Sequence, residues 1–272
     1  MNKVIFIMLI SFSVVVLVIF LKEGRNDEQS LDSVMEVIGQ TTRDMAETST
    51  SVIKISTAEE NEIGRQIFES FQVLPDDNDM VVRVREIGNR FLPYRLRVDI
   101  NYRFYVTNQR FVNAFALPGG YIIITAGMVG IVENDDELAW VIGHEISHIE
   151  KRHAIVQLKI HKAKQKIKID KNRRLNKLAT TIERLYRVGY SENMELEADI
   201  SGLRLMLNAD YDCRAAIRLV DYMASKNPQP RKNSRNFIKM GIKLSQKTLR
   251  AYFSTHPHWN RRKEAILKDI KK

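Results

Sequence analysis

The first apolar pattern along the chain is a long run near its beginning. Residues 4–21 are apolar except for Ser11 and Ser13, and charged residues stand on both sides. As a helix at 1.5 Å per residue this run is about 27 Å long, close to the thickness of a membrane's hydrocarbon core. The pattern favours an uncleaved signal-anchor helix over residues 1–23. A cleaved signal peptide and a buried core helix are the competing interpretations, but no small-residue cleavage site follows the run.

The polar segment that follows is typical of a tether. Residues 24–56 are rich in Ser, Thr, Asp and Glu, and we expect them to join the anchor to a domain over residues 57–272. At the start of that domain, apolar residues recur at helical spacing over residues 57–92. Because Pro75-Asp76-Asp77 interrupts this spacing, the pattern predicts two helices.

Three short apolar segments are typical of strands: residues 99–106, 111–117 and 121–125. Pro118-Gly119-Gly120 separates the last two, and both glycines can adopt the positive φ angles of a tight turn. We therefore expect a small antiparallel sheet of about three strands.

Helical spacing predominates after this sheet. Asp135 and Asp136 are suited to the N-terminus of a helix that begins at Glu137, because carboxylates interact favourably with the positive end of the helix dipole. The whole pattern predicts an α+β fold that is mostly helical.

Composition excludes several classes of protein. The 272 residues are 44% hydrophobic with 12 Gly and 6 Pro, which is typical of a globular chain rather than a disordered or collagen-like one. Cys213 is the single cysteine, so the chain has no intrachain disulfide, no cysteine-based zinc ribbon and no cluster held by four cysteines. The net charge of +10 is concentrated in residues 151–190 and 226–272, and the remainder is acidic.

The strongest chemical signal is an H-E-x-x-H sequence on the helix predicted after Asp136. His144 and His148 are four residues apart, so both imidazoles lie on one helix face and can hold one metal ion. Glu145 is placed to accept a proton from a water molecule bound to that ion. Zinc suits neutral imidazoles, and a catalytic zinc site uses three protein ligands and one open position. The alternative is a helix with two incidental histidines.

A second helical segment, 47 residues later, supplies the acidic residues that complete such a site. In it, Glu195 is the expected third ligand, and Asp199 is one turn further on. A carboxylate at Asp199 can accept the free N–H of a ligating histidine and fix its tautomer. Glu197 is expected to point away into solvent. An ordinary acidic helix is the alternative.

Together these motifs resemble the membrane-associated zinc metallopeptidases that include the type I CAAX prenyl endopeptidases, HtpX, the mitochondrial Oma-type peptidase and the BepA-like periplasmic peptidases. The resemblance covers roughly residues 57–270. The residues that carry it are Asn113-Ala-Phe-Ala-Leu-Pro-Gly-Gly120, Asp136-Glu-Leu-Ala139, His144-Glu-Ile-Ser-His148, Glu195-Leu-Glu-Ala-Asp199, His256-Pro257 and Arg262.

The resemblance implies a zincin-like domain with one zinc ion on His144, His148 and Glu195, and with Glu145 as general base. It also places His256 and Arg262 near the reaction as candidate catalytic residues. His256 has two alternative roles: it could block the open zinc position in a latent enzyme, or His256-Pro257 could simply end a helix.

Substrate contacts are also implied by the resemblance. Asn113 is a candidate substrate-binding residue, and the strand at residues 121–125 is expected to form the edge of the cleft, with Tyr121, Ile122 and Ile123 pairing with an extended polypeptide. His153 lies nine positions after His144, on the opposite helix face, and is expected to be structural.

These features favour a membrane-anchored endopeptidase that cleaves misfolded or membrane-associated proteins. We expect its catalytic domain on the periplasmic side of a bacterial inner membrane, with a cleaved, secreted form as the alternative. The basic residues at 159–177 could contact anionic lipid headgroups, and no nucleic-acid partner is expected. Two rival functions are an envelope chaperone or assembly factor with little turnover, and a lipid- or polyanion-binding module with a vestigial site.

Overall fold

The computed structural model describes residues 54–165, 174–186, 189–224, 252, 255–256 and 259–270. The chain divides into two units, Met1–Ser51 and Val52–Lys272, and every described residue belongs to the second. The predicted anchor over residues 1–23 and most of the predicted tether lie outside the described residues. Among the helices that are described, none is long and apolar enough to cross a membrane.

The described residues are mostly helical, as the sequence pattern predicts. The α-helices are α1 (Thr57–Phe68), α2 (Asp79–Phe91), α3 (Ala126–Ile131), α4 (Asp135–Glu150), α5 (His153–Gln165), α6 (Arg174–Tyr186), α7 (Glu192–Asn208), α8 (Arg214–Ala224) and α9 (Trp259–Ile270). The strands are β1 (Arg103–Thr107), β2 (Ala114–Leu117) and β3 (Tyr121–Thr125). Short 3-10 turns occupy Leu92–Tyr94 and Pro118–Gly120.

Helix α4, which carries the H-E-x-x-H sequence, begins two residues earlier than predicted. Its N-cap is Asn134, whose side-chain oxygen accepts a hydrogen bond of 3.0 Å from the backbone N–H of Glu137. Asp135 and Asp136 instead occupy the first turn, where their charge still suits the helix dipole. An asparagine is among the strongest N-cap residues, so it takes the cap position from the two aspartates that follow.

The sheet is mixed, with the strand order β1-β3-β2. Strands β2 and β3 form the predicted antiparallel hairpin, and Gly119 and Gly120 in the connecting turn have φ angles of 75° and 90°. The prediction of an antiparallel sheet is wrong for β1, which pairs with β3 in parallel. The chain reverses after β1 to form β2, reverses again at the glycine turn, and inserts β3 between the two earlier strands.

Strand β3 is central and is buried on both faces. Ile122 and Ile124 face a large apolar cluster that includes residues of α2, α4, α7 and α8, whereas Tyr121 and Ile123 face a smaller cluster with residues of α1, α5 and α6. Successive side chains of a strand point to opposite faces, so one strand serves both clusters. The sheet therefore separates the two apolar clusters. The apolar residues of α4 belong to the larger cluster.

The backbones of α4 and α7 approach each other closely. A methyl group added at Gly202 of α7 would lie 2.9 Å from the backbone nitrogen of His144 and 3.1 Å from the carbonyl carbon of Gly143. All of α4 from Glu137 to Ile149 is buried, as expected for a helix surrounded by other elements. Two facing glycines thus let the backbones of α4 and α7 meet directly.

We expect Gly202→Ala to lower the free energy of unfolding by about 1–3 kcal/mol, because the new methyl group meets backbone atoms that have no rotamer with which to move aside. Chemical denaturation measures the change. The control is the adjacent Ser201→Ala, for which we expect a change within about 0.5 kcal/mol. Equal stability of the Gly202 variant and the control would contradict the close approach of the two helices.

Candidate metal centre

Helices α4 and α7 bring the three predicted ligands together in the buried interior. The Nε2 atoms of His144 and His148 are 3.0 Å apart. Glu195 reaches both histidines from α7, with Oε2 at 3.5 Å from His144 Nε2 and Oε1 at 3.6 Å from His148 Nε2. The side chains of all three residues are buried.

His256 lies against the same three residues. Its Nδ1 atom is 3.3 Å from His144 Nε2 and 3.2 Å from each carboxylate oxygen of Glu195. His144, His148, Glu195 and His256 each offer one ligand atom, and these atoms all lie within 4.8 Å of one another. His256, for which occupation of the open zinc position was one of the predicted roles, is therefore a possible fourth ligand beside the three predicted ones.

The separations that involve His144 and Glu195 are close to those between the ligands of a tetrahedral zinc ion. Four nitrogen and oxygen ligands at about 2.0–2.1 Å from one ion are about 3.3 Å apart, and the contacts of His144 and Glu195 range from 3.0 to 3.6 Å. Beside them, both carboxylate oxygens of Glu145 are buried and accept no hydrogen bond from the described residues. Such a carboxylate is costly to bury alone, and a metal-bound water would supply its missing donor.

A second layer of buried charges supports the ligands. Asp199 Oδ1 lies 2.9 Å from His144 Nδ1, where it fixes the histidine tautomer that leaves Nε2 free to ligate. Arg262 of α9 donates from Nε and Nη2 to the two oxygens of Asp199, both at 2.7 Å, and its Nη1 is 2.8 Å from Glu195 Oε2. The buried guanidinium of Arg262 thus contacts both Glu195, a predicted ligand, and Asp199, which lies beside the predicted ligand His144.

Arg262 also reaches the segment that carries His256, because Nη1 donates to the carbonyl oxygen of His256 at 3.2 Å. Arg262 was predicted to lie near the reaction. It contacts two carboxylates and a backbone carbonyl, so its position is that of a positioning residue for the ligands and for His256.

The charges around the site set the protonation of its carboxylates. Burial alone would raise the pKa of Glu195, but His256 and Arg262 hold that pKa well below its ordinary value. Burial raises the pKa of Glu145, and the nearby His256 and His144 offset this rise only in part. Glu195 is therefore a stable anionic ligand, and Glu145 is a stronger proton acceptor than an exposed glutamate.

The pKa values of the two histidines of α4 are shifted in opposite directions. Burial lowers the pKa of His148 well below its ordinary value, so the ring is neutral and its lone pair is available to a metal. Burial also disfavours a charged His144, but hydrogen bonds with Asp199 and Glu195 outweigh it and raise the pKa of His144 to about 9. A metal ion must therefore displace a proton from His144 when it binds.

The predicted cleft edge is wrong. Tyr121, Ile122 and Ile123 belong to β3, which is paired with a strand on both sides and has no free edge. Strands β1 and β2 lie at the two edges of the described sheet, and β2 follows Asn113. Residues of β2 line a cleft together with Glu145 and His256. The order of strands in a sheet depends on long-range pairing, which local hydropathy does not reveal.

Asn113 is buried at the start of this edge strand. Its Oδ1 accepts hydrogen bonds from the backbone N–H of Ala114 at 2.9 Å and from Thr255 Oγ1 at 3.2 Å. The side chain therefore ties β2 to the residue that precedes His256. Its predicted substrate contact stays a prediction.

Sequence patterns missed three further residues around His148. The Tyr190 ring stacks on the His148 ring with centroids 4.2 Å apart. His153 Nδ1 lies 2.8 Å from His148 Nδ1, and His153 Nε2 lies 3.3 Å from Glu197 Oε2. The prediction that His153 faces away from the site is therefore wrong. The Glu197 side chain is 45% exposed, as a residue directed towards solvent should be, and it also contacts His153. Because α4 ends at Glu150, helical periodicity does not extend to His153.

The fold and the site define a metallopeptidase, with an H-E-x-x-H helix, a glutamate ligand on a second helix, and an edge strand beside the metal position. The chain belongs to peptidase family M48, which matches residues 83–270. The family resemblance read from the sequence motifs is confirmed.

Relatives of this chain include two mitochondrial proteins. The mitochondrial metalloendopeptidase OMA1 of Arabidopsis thaliana is 32% identical over 179 residues, which cover 61% of this chain and 31% of that protein. The protein of the same name in Schizosaccharomyces pombe is 27% identical over 197 residues, covering 70% of this chain and 53% of that protein. The beta-barrel assembly-enhancing protease of Yersinia pestis is 36% identical over 70 residues, covering 26% of this chain and 14% of that protein. The match thus spans less than two thirds of each relative.

We expect Arg262→Leu to lower the free energy of unfolding of the metal-free protein by about 3–5 kcal/mol, because it leaves two buried carboxylates without their counter-charge. The control is the neighbouring Arg261→Leu. Arg261 has a side chain that is 77% exposed and pairs with Glu192 at the surface, so its loss is expected to cost less than about 1 kcal/mol. Denaturation of both variants in the presence of a chelator makes the comparison. Similar stability of the two would contradict the role of Arg262.

Proposed function

We propose that this protein is a zinc-dependent endopeptidase that hydrolyses peptide bonds of misfolded or membrane-associated proteins. The observation that carries the proposal is the buried group of His144, His148 and Glu195, with contacts of 3.0 to 3.6 Å, beside the buried carboxylate of Glu145, whose oxygens accept no hydrogen bond from the described residues. Membership of peptidase family M48 supports the reaction class.

Zinc is the metal that this donor set favours. Two imidazoles and one carboxylate form a common catalytic zinc site, and the second layer of Asp199 and Arg262 orients them. When bound, zinc lowers the pKa of a coordinated water and polarises a carbonyl group. Glu145 then accepts the proton of the attacking water and returns a proton to the leaving amine, as its raised pKa allows.

The substrate is proposed to bind as an extended strand along β2. Among the described residues this strand pairs with β3 alone, and Ala114, Phe115 and Ala116 of the strand border the cleft that contains Glu145 and His256. Main-chain hydrogen bonds to an edge strand give affinity with little sequence preference, which suits a peptidase for misfolded proteins.

His256 supports a closed state of this site. Its Nδ1 atom lies within 4.8 Å of the candidate ligand atoms of His144, His148 and Glu195, so it could take the fourth position of a bound metal, and its Nε2 atom is 3.5 Å from Glu145 Oε1. A catalytic zinc ion needs its fourth position for water or substrate, so a histidine there blocks the reaction. We therefore infer that the segment with His256, tied down by Thr255 and Arg262, moves before a substrate is cleaved.

The cellular setting remains a proposal from the sequence. Residues 1–23 are proposed to anchor the domain in a bacterial inner membrane, with the domain on the periplasmic side. Basic residues in α5 and α6 belong to the stretch at 159–177 that is proposed to contact anionic lipid headgroups. An envelope chaperone or assembly factor is the second candidate function, and the blocked fourth position is the observation that favours it.

We expect Glu145→Gln to retain about one zinc ion per chain and to lose cleavage of casein by about 100- to 10,000-fold, because the amide cannot accept the proton. Metal analysis and a cleavage assay measure the two quantities. Glu183→Gln makes the same chemical change at an exposed position of α6 and is expected to be fully active. Full activity of the Glu145 variant would rule out the proposed mechanism.

We expect His256→Ala to cleave casein and itself faster than the wild type does, because it opens the fourth position of the metal. A zinc chelator is expected to abolish this cleavage. His161→Ala removes a histidine from α5 and is the control, with wild-type rates expected. A loss of cleavage in the His256 variant would instead assign His256 to stabilisation of the transition state.

A further inference from the structure

A buried chain of polar contacts leads from His148 to the surface of the domain. His153 is 2% exposed, and its ring meets the His148 ring edge-on, with centroids 4.9 Å apart and an interplanar angle of 73°. Its other nitrogen is directed at Glu197, whose side chain is 45% exposed. Neither His153 nor Glu197 is a proposed metal ligand, proton acceptor or partner of His256.

The backbone between α4 and α5 brings His153 to this position. Helix α4 ends at Glu150, and Arg152 has a φ angle of 54°, which is uncommon for a residue other than glycine. This left-handed residue breaks the helical path between the two helices, so that the first residue of α5 contacts His148. The Arg152 guanidinium is held by Ile55 O at 2.9 Å and by Glu60 at 2.9 Å, which fixes the turn.

If His148 ligates a metal, the ring nitrogens of His148 and His153 can carry their protons in one arrangement only. A neutral imidazole has one N–H donor and one acceptor nitrogen. If His148 ligates a metal through Nε2, its proton is on Nδ1, and the contact of 2.8 Å requires His153 Nδ1 to be the acceptor. The proton of His153 is then on Nε2, 3.3 Å from a carboxylate oxygen of Glu197 that accepts it.

The two histidine ligands are therefore supported differently. The Nδ1 atom of His144 lies directly against the carboxylate of Asp199, at 2.9 Å. At His148 an imidazole stands between the ligand and the carboxylate, while Tyr190 stacks on one face of the ring. Loss of the hydrogen-bond partner of a metal-ligating histidine typically weakens metal binding by about 10- to 100-fold.

We propose that His153 is a positioning residue for the metal: it accepts the Nδ1–H of His148 and is itself oriented by Glu197. This inference rests on the proposed metal site and extends it by one residue beyond the ligands and their direct carboxylate partner. The chemistry involved is the orientation of a neutral ligand, with no proton transferred.

The test compares zinc dissociation constants of the full chain, measured by competition with a chromophoric chelator. His153→Leu removes the acceptor while keeping an apolar side chain of similar size, and we expect about 10- to 100-fold weaker zinc binding. His153→Asn retains an acceptor oxygen near the position of Nδ1 and is expected to restore most of the affinity. His161→Leu, the same change elsewhere on α5, is expected to bind zinc as the wild type does.

The outcomes separate this proposal from the proposed function. A wild-type chain that binds no zinc would overturn both. Wild-type affinity in His153→Leu, or a loss in His153→Asn as large as that in His153→Leu, would overturn the positioning role alone.

A second measurement does not depend on how the variants fold. Nitrogen-15 NMR of histidines in the zinc-loaded wild type is expected to show a protonated Nδ1 in His148 and an unprotonated Nδ1 in His153. A protonated Nδ1 in His153 would overturn the proposal.

Discussion

The direct backbone contact between α4 and α7 is the constraint on which the site depends. Gly143 and Gly202 face each other where any larger side chain would meet backbone atoms. This approach places Glu195 within reach of both histidines of α4 and Asp199 against His144. A metal site needs its ligands held within a fraction of an ångström, and rigid helices provide this better than loops do.

The close packing of α4 and α7 also brings several buried carboxylates together, and Arg262 offsets part of their negative charge. Two carboxylates of α7 are buried beside Glu145, and burial of uncompensated charge is costly. Arg262 neutralises part of this charge from α9 and also holds the carbonyl oxygen of His256. Glu195, Asp199 and the backbone of His256 are thus connected through one guanidinium.

The local features of this protein were predictable from spacing, and the meeting of Glu195 and Asp199 with the two histidines was predictable from the motifs, but the strand order and the position of His153 were not. The spacing of His144 and His148 on one helix and the turn before β3 are local properties, and both appear as predicted. The strand order is not local, so β3 was mistaken for the edge strand. The position of His153 depends on the left-handed conformation of Arg152. No glycine or proline in the sequence marks this turn, so helical periodicity placed His153 on the wrong face of the helix.

X-ray absorption at the zinc edge of the purified full chain tests the central claim most directly. The account predicts one zinc ion per chain with four nitrogen or oxygen ligands at about 2.0–2.2 Å and the outer-shell scattering of three imidazoles. That result would place His144, His148 and His256 on one ion with Glu195. A six-coordinate ion, or scattering from fewer than two imidazoles, would contradict the account.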